Sequence, residues 1–239
     1  MRLDRYLANM GCGSRTEVKQ LLRFGKVMVN EKKATDGAMP IQVGIDQIVC
    51  QDQLIVYQEY FYLMLHKPAG VLTATEDLRQ KTVLDLIDPK YHNKGLFPVG
   101  RLDKDTEGLL ILTNHGELGH RLLSPKKHVF KEYLARVTGV LSETDQIAFQ
   151  NGITIEDGYQ TLPARLEIIS HTDPAEVLVI IREGKFHQIK RMFQALDKEV
   201  LYLKRLKMGN LMLDPQLPLG AVRELTATEI AALLSLTNF

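Results

Sequence analysis

The chain has 239 residues, 45% of them hydrophobic and 25% charged, which is the composition of a globular protein with one large domain or a small and a medium one. No apolar run approaches the roughly 18 residues a membrane helix needs, no signal-peptide core follows Met1-Arg2-Leu3-Asp4-Arg5, and Cys12 and Cys50 form no CxxC pair. A cytoplasmic protein with free thiols is expected. The net charge of +1 announces no nucleic-acid partner by itself, but the basic residues concentrate in residues 1–33 and 182–207.

At the N-terminus, Leu3, Tyr6, Leu7 and Met10 fall at helical spacing before Gly11 and Gly13 break the run. Ser14-Arg15-Thr16-Glu17 reads as a capping box that opens a second helix to about Phe24, with Gly25 as its stop. On that helix Arg15, Lys19 and Arg23 form one stripe, and Val18, Leu21 and Leu22 form the neighbouring apolar face. A strand at Lys26–Asn30 and a charged turn at Glu31-Lys32-Lys33 follow. This pattern resembles the small RNA-binding domain named after ribosomal protein S-four, over residues 1–58. The resemblance makes Arg2, Arg15, Lys19, Arg23 and Lys26 candidate RNA contacts, meeting phosphates without reading bases. A solvated basic helix is the plain alternative.

Residues 46–53 and 58–59 are largely polar, so the domain junction is placed near 56–60, with a second domain over 59–239. Tyr60–Pro68 reads as a strand entering a turn at His66-Lys67-Pro68-Ala69-Gly70, where proline fixes the turn and glycine allows close backbone approach. A short helix is expected from Thr82 to Ile87, ended by Asp88-Pro89. Gly100-Arg101-Leu102-Asp103-Lys104-Asp105-Thr106-Glu107-Gly108 then places a carboxylate on a loop, and Leu109–Leu112 is an apolar run fit for a central strand. Asp103 at the mouth of a cleft could act as a nucleophile or stabilise a sugar that carries positive charge.

The spacing Asp103-x-Asp105-x-Glu107-Gly108 also mimics the start of a calcium loop, but the twelfth position is Asn114, where a bidentate glutamate is needed. A plain acidic turn is the other alternative. Ser142-x-x-Asp145 and Thr226-x-x-Glu229 both look like helix starts. In Glu183-Gly184-Lys185-Phe186-His187-Gln188-Ile189-Lys190-Arg191-Met192-Phe193, the apolar residues Ile189, Met192, Phe193 and Leu196 predict a helix from about His187. Lys204, Arg205 and Lys207 on the next strand are expected to extend a basic surface. The seven histidines show no metal-ligand spacing, and no glycine-rich phosphate loop or dinucleotide fingerprint occurs, so neither metal nor cofactor is expected.

Together the turn at Lys67-Pro68, the Arg101-Leu102-Asp103 loop, the Leu123-Ser124-Pro125-Lys126-Lys127-His128 segment leading to Lys131-x-Tyr133, and the Lys185–Phe193 motif resemble the RsuA-type ribosomal RNA pseudouridine synthases, in family order. The resemblance implies an α+β fold: an S-four-like module, then a mixed, largely antiparallel sheet with helices packed on it. It implies an isomerase that turns a uridine into pseudouridine without a cofactor, with Asp103 as the catalytic aspartate, Tyr133 stacking on the flipped base and Lys190 as the aspartate's cationic partner. Arg101 is a candidate RNA contact, and Gln188 and Arg191 are candidates for positioning RNA or supporting the loop. The Leu123–His128 segment and a tail that ends soon after Glu229 look more like the branch acting on 16S than on 23S ribosomal RNA. The expected substrate is 16S RNA in a partly assembled small subunit, and the expected state is a monomer with no membrane partner. A non-catalytic RNA-binding assembly factor is the alternative of a different class.

Overall fold

Ser14 accepts a hydrogen bond from the amide of Glu17 at 3.3 Å, and the Glu17 carboxylate accepts from the Ser14 amide at 2.6 Å, so the capping box forms as its sequence requires. The structure is a computed structural model that describes residues 1–124 and 127–236. Pro125 and Lys126 of the Leu123–His128 segment, and residues 237–239 of the tail, lie outside the described residues. The chain divides into two compact units, one of Met1–Phe61 with Asp88–Leu96 and one of Tyr62–Ile87 with Phe97–Phe239. The stretch 88–96 therefore groups with the first unit, although it was expected inside the second domain.

In the first unit α1 spans Leu3–Asn9 and α2 spans Arg15–Arg23. Four short strands follow: β1 (Val27–Val29), β2 (Lys32–Lys33), β3 (Ile48–Cys50) and β4 (Gln53–Ile55), paired antiparallel in the order β2-β1-β3-β4. The β3–β4 hairpin lies where the sequence reads as polar linker. Its turn residues Gln51 and Asp52 take left-handed backbone (φ 50° and 65°) without a glycine, so the usual hairpin signal is missing. Ile48 and Cys50 complete a core with Leu3, Leu7, Val18, Leu22, Val27 and Val29.

The second unit is built on a nine-stranded sheet. Its strands are β5 (Tyr62–Lys67), β6 (Phe97–Pro98), β7 (Glu107–Thr113), β8 (Lys131–Val137), β9 (Arg165–Ser170), β10 (Ala175–Ile181), β11 (Val200–Met208), β12 (Leu211–Met212) and β13 (Val222–Glu224). The path is β13-β5-β7-β11-β8-β10-β9, with β12 on β11 and β6 on β7; β7–β11 is parallel and the other pairs are antiparallel. The expected mixed, largely antiparallel sheet is what forms. β7 is central because Leu109, Leu110, Ile111 and Leu112 are all fully buried, which uses both faces of the strand.

Four helices accompany the sheet: α3 (Gly116–Leu123), α4 (Glu143–Asn151), α5 (Gln188–Gln194) and α6 (Ala227–Ser235). Capping boxes start α4 at Ser142 and α6 at Thr226, as read from the sequence. The expected helix at 82–87 is a single 3₁₀ turn, Val83–Leu86. Phe193 of α5 packs on Phe149 of α4 with ring centroids 5.0 Å apart.

The parallel β7–β11 contact depends on Gly108. Its φ is 108°, and a Cβ built there would lie 2.2 Å from the Arg205 carbonyl oxygen. Backbone cannot yield as a side chain can, so Gly108→Ala should destabilise the protein by about 3 kcal/mol or more. Urea unfolding checks this; an unchanged midpoint would mean that the two strands tolerate separation.

Candidate active site

The loop between β6 and β7 carries Arg101, Leu102 and Asp103, and its alternation sets their roles. Leu102 is buried as a peg, while Arg101 is exposed and Asp103 is half-exposed. Three anchors fix the backbone around them. Thr73 Oγ1 donates to the Leu102 carbonyl at 2.7 Å and accepts from the Leu102 amide at 3.2 Å. The Gly70 amide donates to the Lys104 carbonyl at 2.7 Å.

The third anchor is Lys67, at the end of β5. Its ammonium is enclosed by the carbonyl oxygens of Pro68 (3.0 Å), Asp103 (3.1 Å), Lys104 (3.3 Å) and Thr106 (3.0 Å). Burial pushes this ammonium down to about 8, with Asp105, Asp103 and Glu107 pulling the other way. The turn motif was read as proline and glycine geometry; its lysine holds the reactive loop. The sequence shows only a lysine closing the largely apolar strand Tyr62–Lys67, beside His66, and does not name its partners.

Asp103 faces a small cleft of about 70 Å³, whose lining includes Arg101, Tyr133, His187 and Lys190. Tyr133, on β8, is 7% exposed and forms part of the wall. Two basic groups flank the carboxylate, with His187 Nε2 3.7 Å from Oδ1 and Lys190 Nζ 3.7 Å from Oδ2. His187 is the N-cap of α5 in left-handed backbone (φ 50°), with its ring stacked on Phe186 at 3.8 Å. The sequence marks His187 as the start of this helix and gives it no role beside Asp103.

Lys190 was expected to pair with Asp103, and here its direct partner is Asp105. The lysine donates to both Asp105 oxygens, at 2.6 and 2.8 Å. The turn closed by the Thr106 amide on the Asp103 carbonyl (3.1 Å) brings the two acids within reach of one ammonium. Partial burial raises the pKa of Asp105, but the hydrogen bond and charge of Lys190 outweigh it and hold the carboxyl below its ordinary value. Asp105→Asn should release Lys190 towards Asp103 and change the rate of any reaction that Asp103 carries by about 2–10-fold with little change in ligand affinity, the size of one weakened ion pair. Steady-state kinetics check this; an unchanged kcat would mean that the pair only caps the turn.

The acids of the calcium-like spacing do not share one centre: Glu107 accepts from the Tyr202 hydroxyl at 2.9 Å, while Asp105 and Asp103 face Lys190. No group of three or more His, Cys, Asp or Glu that could hold a metal occurs among the described residues.

Gln188 and Arg191 are drawn into structural contacts. Gln188 is buried, accepts from the Lys185 amide at 2.9 Å and donates to Glu183 at 2.9 Å. Arg191 is paired with Glu156 at 3.0 Å and Asp157 at 2.6 Å, so its charge is already answered. Gln188 ties down the loop before α5, and Arg191 joins that loop, through the Phe186 carbonyl at 3.3 Å, to Glu156 and Asp157. Arg205, expected on a basic surface, is 2% exposed: Nε donates to the Leu109 carbonyl at 2.8 Å, and Nη2 has no partner among the described residues. In the first unit Arg15, Lys19, Arg23 and Lys26 are exposed, whereas Arg2 is paired with Asp4 at 2.6 Å.

A carboxylate held on a triply anchored loop, flanked by two basic groups and walled by a tyrosine, can attack an electrophilic carbon or stabilise a cationic sugar. Comparison with known proteins points the same way. The family model described as RNA pseudouridylate synthase matches residues 61–195, and the S4 domain model matches residues 1–45. The chain is 48% identical to the uncharacterized RNA pseudouridine synthase YtzG of Bacillus subtilis, covering 96% of this chain and 97% of that protein. It is 38% identical to the ribosomal small subunit pseudouridine synthase A of Vibrio cholerae (98% and 99% covered) and 36% identical to the ribosomal large subunit pseudouridine synthase B of Bacillus subtilis (99% and 97% covered). A solved structure described as a pseudouridylate synthase superimposes with a TM-score of 0.68 at 36% identity, over 98% of this chain and 99% of the other.

Proposed function

The chain belongs to the RsuA-type RNA pseudouridylate synthase family, and from that premise we propose that it isomerises one uridine of 16S ribosomal RNA to pseudouridine. The observation that carries the reading is Asp103, clamped at the mouth of a cleft beside Tyr133 and Lys190. The reaction needs no external atoms. The bond from ribose C1′ to N1 breaks, C1′ bonds to C5, the C5 proton leaves and N1 gains a proton. Asp103 promotes glycosidic cleavage as nucleophile or as the counter-charge to the sugar, with His187 and Lys190 each 3.7 Å from its carboxylate. Tyr133 stacks on the extruded base and holds it while it turns.

RNA docking falls to the domain at residues 1–58, through the exposed stripe of Arg15, Lys19 and Arg23 with Lys26. About four phosphate contacts give a slope of log affinity against log salt near −3 to −4. Arg2 belongs to this set only when RNA displaces Asp4 from it. Arg101 meets the target strand in this reading, which its exposure at the rim of the cleft supports. The second domain, 59–239, carries the chemistry. The protein acts as a cytoplasmic monomer on RNA in a partly assembled small subunit, without a cofactor.

The 16S assignment rests on the relatives named for the small subunit and on the Leu123–His128 segment; the relative named for the large subunit supports the competing 23S assignment. Carbodiimide treatment with primer extension, on unmodified 16S and 23S RNA bare or partly assembled, decides between them. A single new stop in 16S is the expected result. A stop in 23S would keep the chemistry and move the substrate, and no stop in any RNA despite salt-sensitive binding would point to a non-catalytic assembly factor.

A further inference from the structure

The sheet of the second unit has a face that the cleft does not use. Along β8, β10 and β11, Tyr133, Ala135, Val179, Ile181 and Leu203 point to the cleft side and are buried. The residues between them point the other way and are half-buried or exposed. Strand register arranges these in rows: Tyr202 beside Arg136 and Glu176, Lys204 beside Leu134, Leu178 and Glu167, and Lys207 beside Glu132, Ile180 and Arg165. At the end of the rows the Arg182 guanidinium lies 4.7 Å from the centroid of Phe130, a ring that is 47% exposed. At the other end the Arg136 guanidinium lies 4.8 Å from the Tyr202 centroid.

An open groove of about 550 Å³ lies at the Phe130 end, with Phe130, Gln150, Arg165, Arg182, Lys207 and Asn210 among its lining residues. Among the described residues of that lining, Glu132 is the one acid, against Arg182, Lys207 and Arg165, the last of which is paired with Glu167 at 2.6 Å.

We propose that this face binds a single-stranded segment of the substrate RNA, with a base stacked on Phe130 and phosphates held by Lys207 and Arg182. An open sheet that offers aromatic rings flanked by cations suits unpaired bases, because every base has a π-face and each carries a phosphate. Duplex RNA would leave the exposed ring unused. A protein partner fits poorly, since the centres of protein interfaces are depleted in charge, whereas each row here carries a charged side chain. Two residues of strand advance about 6.7 Å, so the three steps from the Phe130 row to the Tyr202 row cover about 20 Å, room for a few nucleotides. The inference rests on RNA being the substrate, and it adds a second contact on the face opposite the reacting uridine.

The test uses the full chain in three forms: wild type, Phe130→Ala, and Arg182→Ala with Lys207→Ala. Binding of a short unstructured RNA oligonucleotide is followed by fluorescence anisotropy across salt concentrations, and crosslinks from 4-thiouridine in the same RNA are mapped by peptide. Phe130→Ala should weaken binding about tenfold or more, as loss of a base–aromatic stack does. The double variant should reduce the salt slope by about one to two. Crosslinks should fall on the 130–132 and 180–182 peptides. Phe130→Ala should keep the wild-type thermal midpoint and kcat on a short hairpin substrate, while KM rises on long RNA. Wild-type affinity and slope in both variants, or crosslinks confined to other peptides, would overturn the proposal. Isomerisation of the hairpin together with wild-type oligonucleotide binding and wild-type KM on long RNA in both variants would remove this inference alone; oligonucleotide binding that depends on Phe130 without isomerisation of any RNA would remove the assigned reaction and leave the surface.

Discussion

Asp103→Asn should abolish isomerisation, lowering the single-turnover rate by about 10⁴-fold or more, the scale on which loss of a reacting group is felt, while affinity for RNA should stay within about threefold. Asparagine keeps the size of the side chain and the backbone anchors from Thr73, Gly70 and Lys67, because those reach main-chain atoms. It removes the negative charge that lies between His187 and Lys190, each 3.7 Å away. A neutral amide neither attacks carbon nor balances a cationic sugar at a useful rate. Equal RNA affinity separates this from a folding defect. A rate within tenfold of wild type would take the aspartate out of the mechanism.

Lys67→Met is the second large expected effect, and it acts through the backbone of the loop. Methionine fills the volume but leaves the carbonyls of Pro68, Asp103, Lys104 and Thr106 without the ammonium that joins them. Losing a buried group with four acceptors should cost about 3–5 kcal/mol. Urea unfolding should show that loss, and kcat should fall by at least about 10²-fold, since small displacements of a reacting group cost that much. A loss under about 1 kcal/mol would mean that other contacts hold the loop.

Lys67 also carries a pH signature whose sign follows from its burial. Its folded value, about 8, lies below the ordinary 10.5, so between these limits the unfolded chain holds a proton that the folded chain has released. Stability contributed by this group therefore rises with pH across that window. Lys131, also lowered to about 8, first by burial and then by the nearby Arg205, adds a slope of the same sign. In Lys67→Met the rise in unfolding free energy above pH 8 should be shallower by up to about 1.4 kcal/mol per pH unit, one group's share. Parallel slopes in the two proteins would place the ammonium in a wetter environment than the geometry gives it.

The sequence carried the central features because local chemistry fixes them. Ser14 and Glu17 form their capping box within four residues, and Leu109–Leu112 has to be a buried strand whatever surrounds it. The Arg101-Leu102-Asp103 loop stands out in the sequence through its resemblance to a family motif. What escaped depends on contacts between distant segments. Lys67 grips carbonyls 36 to 39 positions further on, and nothing near residue 67 announces them. Asp105 captures Lys190 across 85 positions, so a motif that names Lys190 as the partner of an aspartate does not say which one.

Arg205 looked like surface because lysines flank it at 204 and 207. On β11 it shares the buried phase of Leu203, and an irregularity between Arg205 and Lys207 then shifts the alternation. The sequence leaves Gln188 and Arg191 between two roles, because their partners Glu183, Glu156 and Asp157 lie 5, 35 and 34 positions away. The hairpin at 48–55 was missed because its turn reaches left-handed backbone with Gln51 and Asp52 in place of glycine.

The most direct measurement follows the hydrogen that the reaction must displace. Ribosomal RNA transcribed with tritium at C5 of uridine is incubated with the protein, and tritium in water and free base in solution are measured together. One tritium released per RNA, with no free uracil, is the predicted result, because C1′ bonds to C5 while the base stays held in the cleft. Release of free uracil would make the protein a glycosidase, and no release from any ribosomal RNA would contradict the isomerase account.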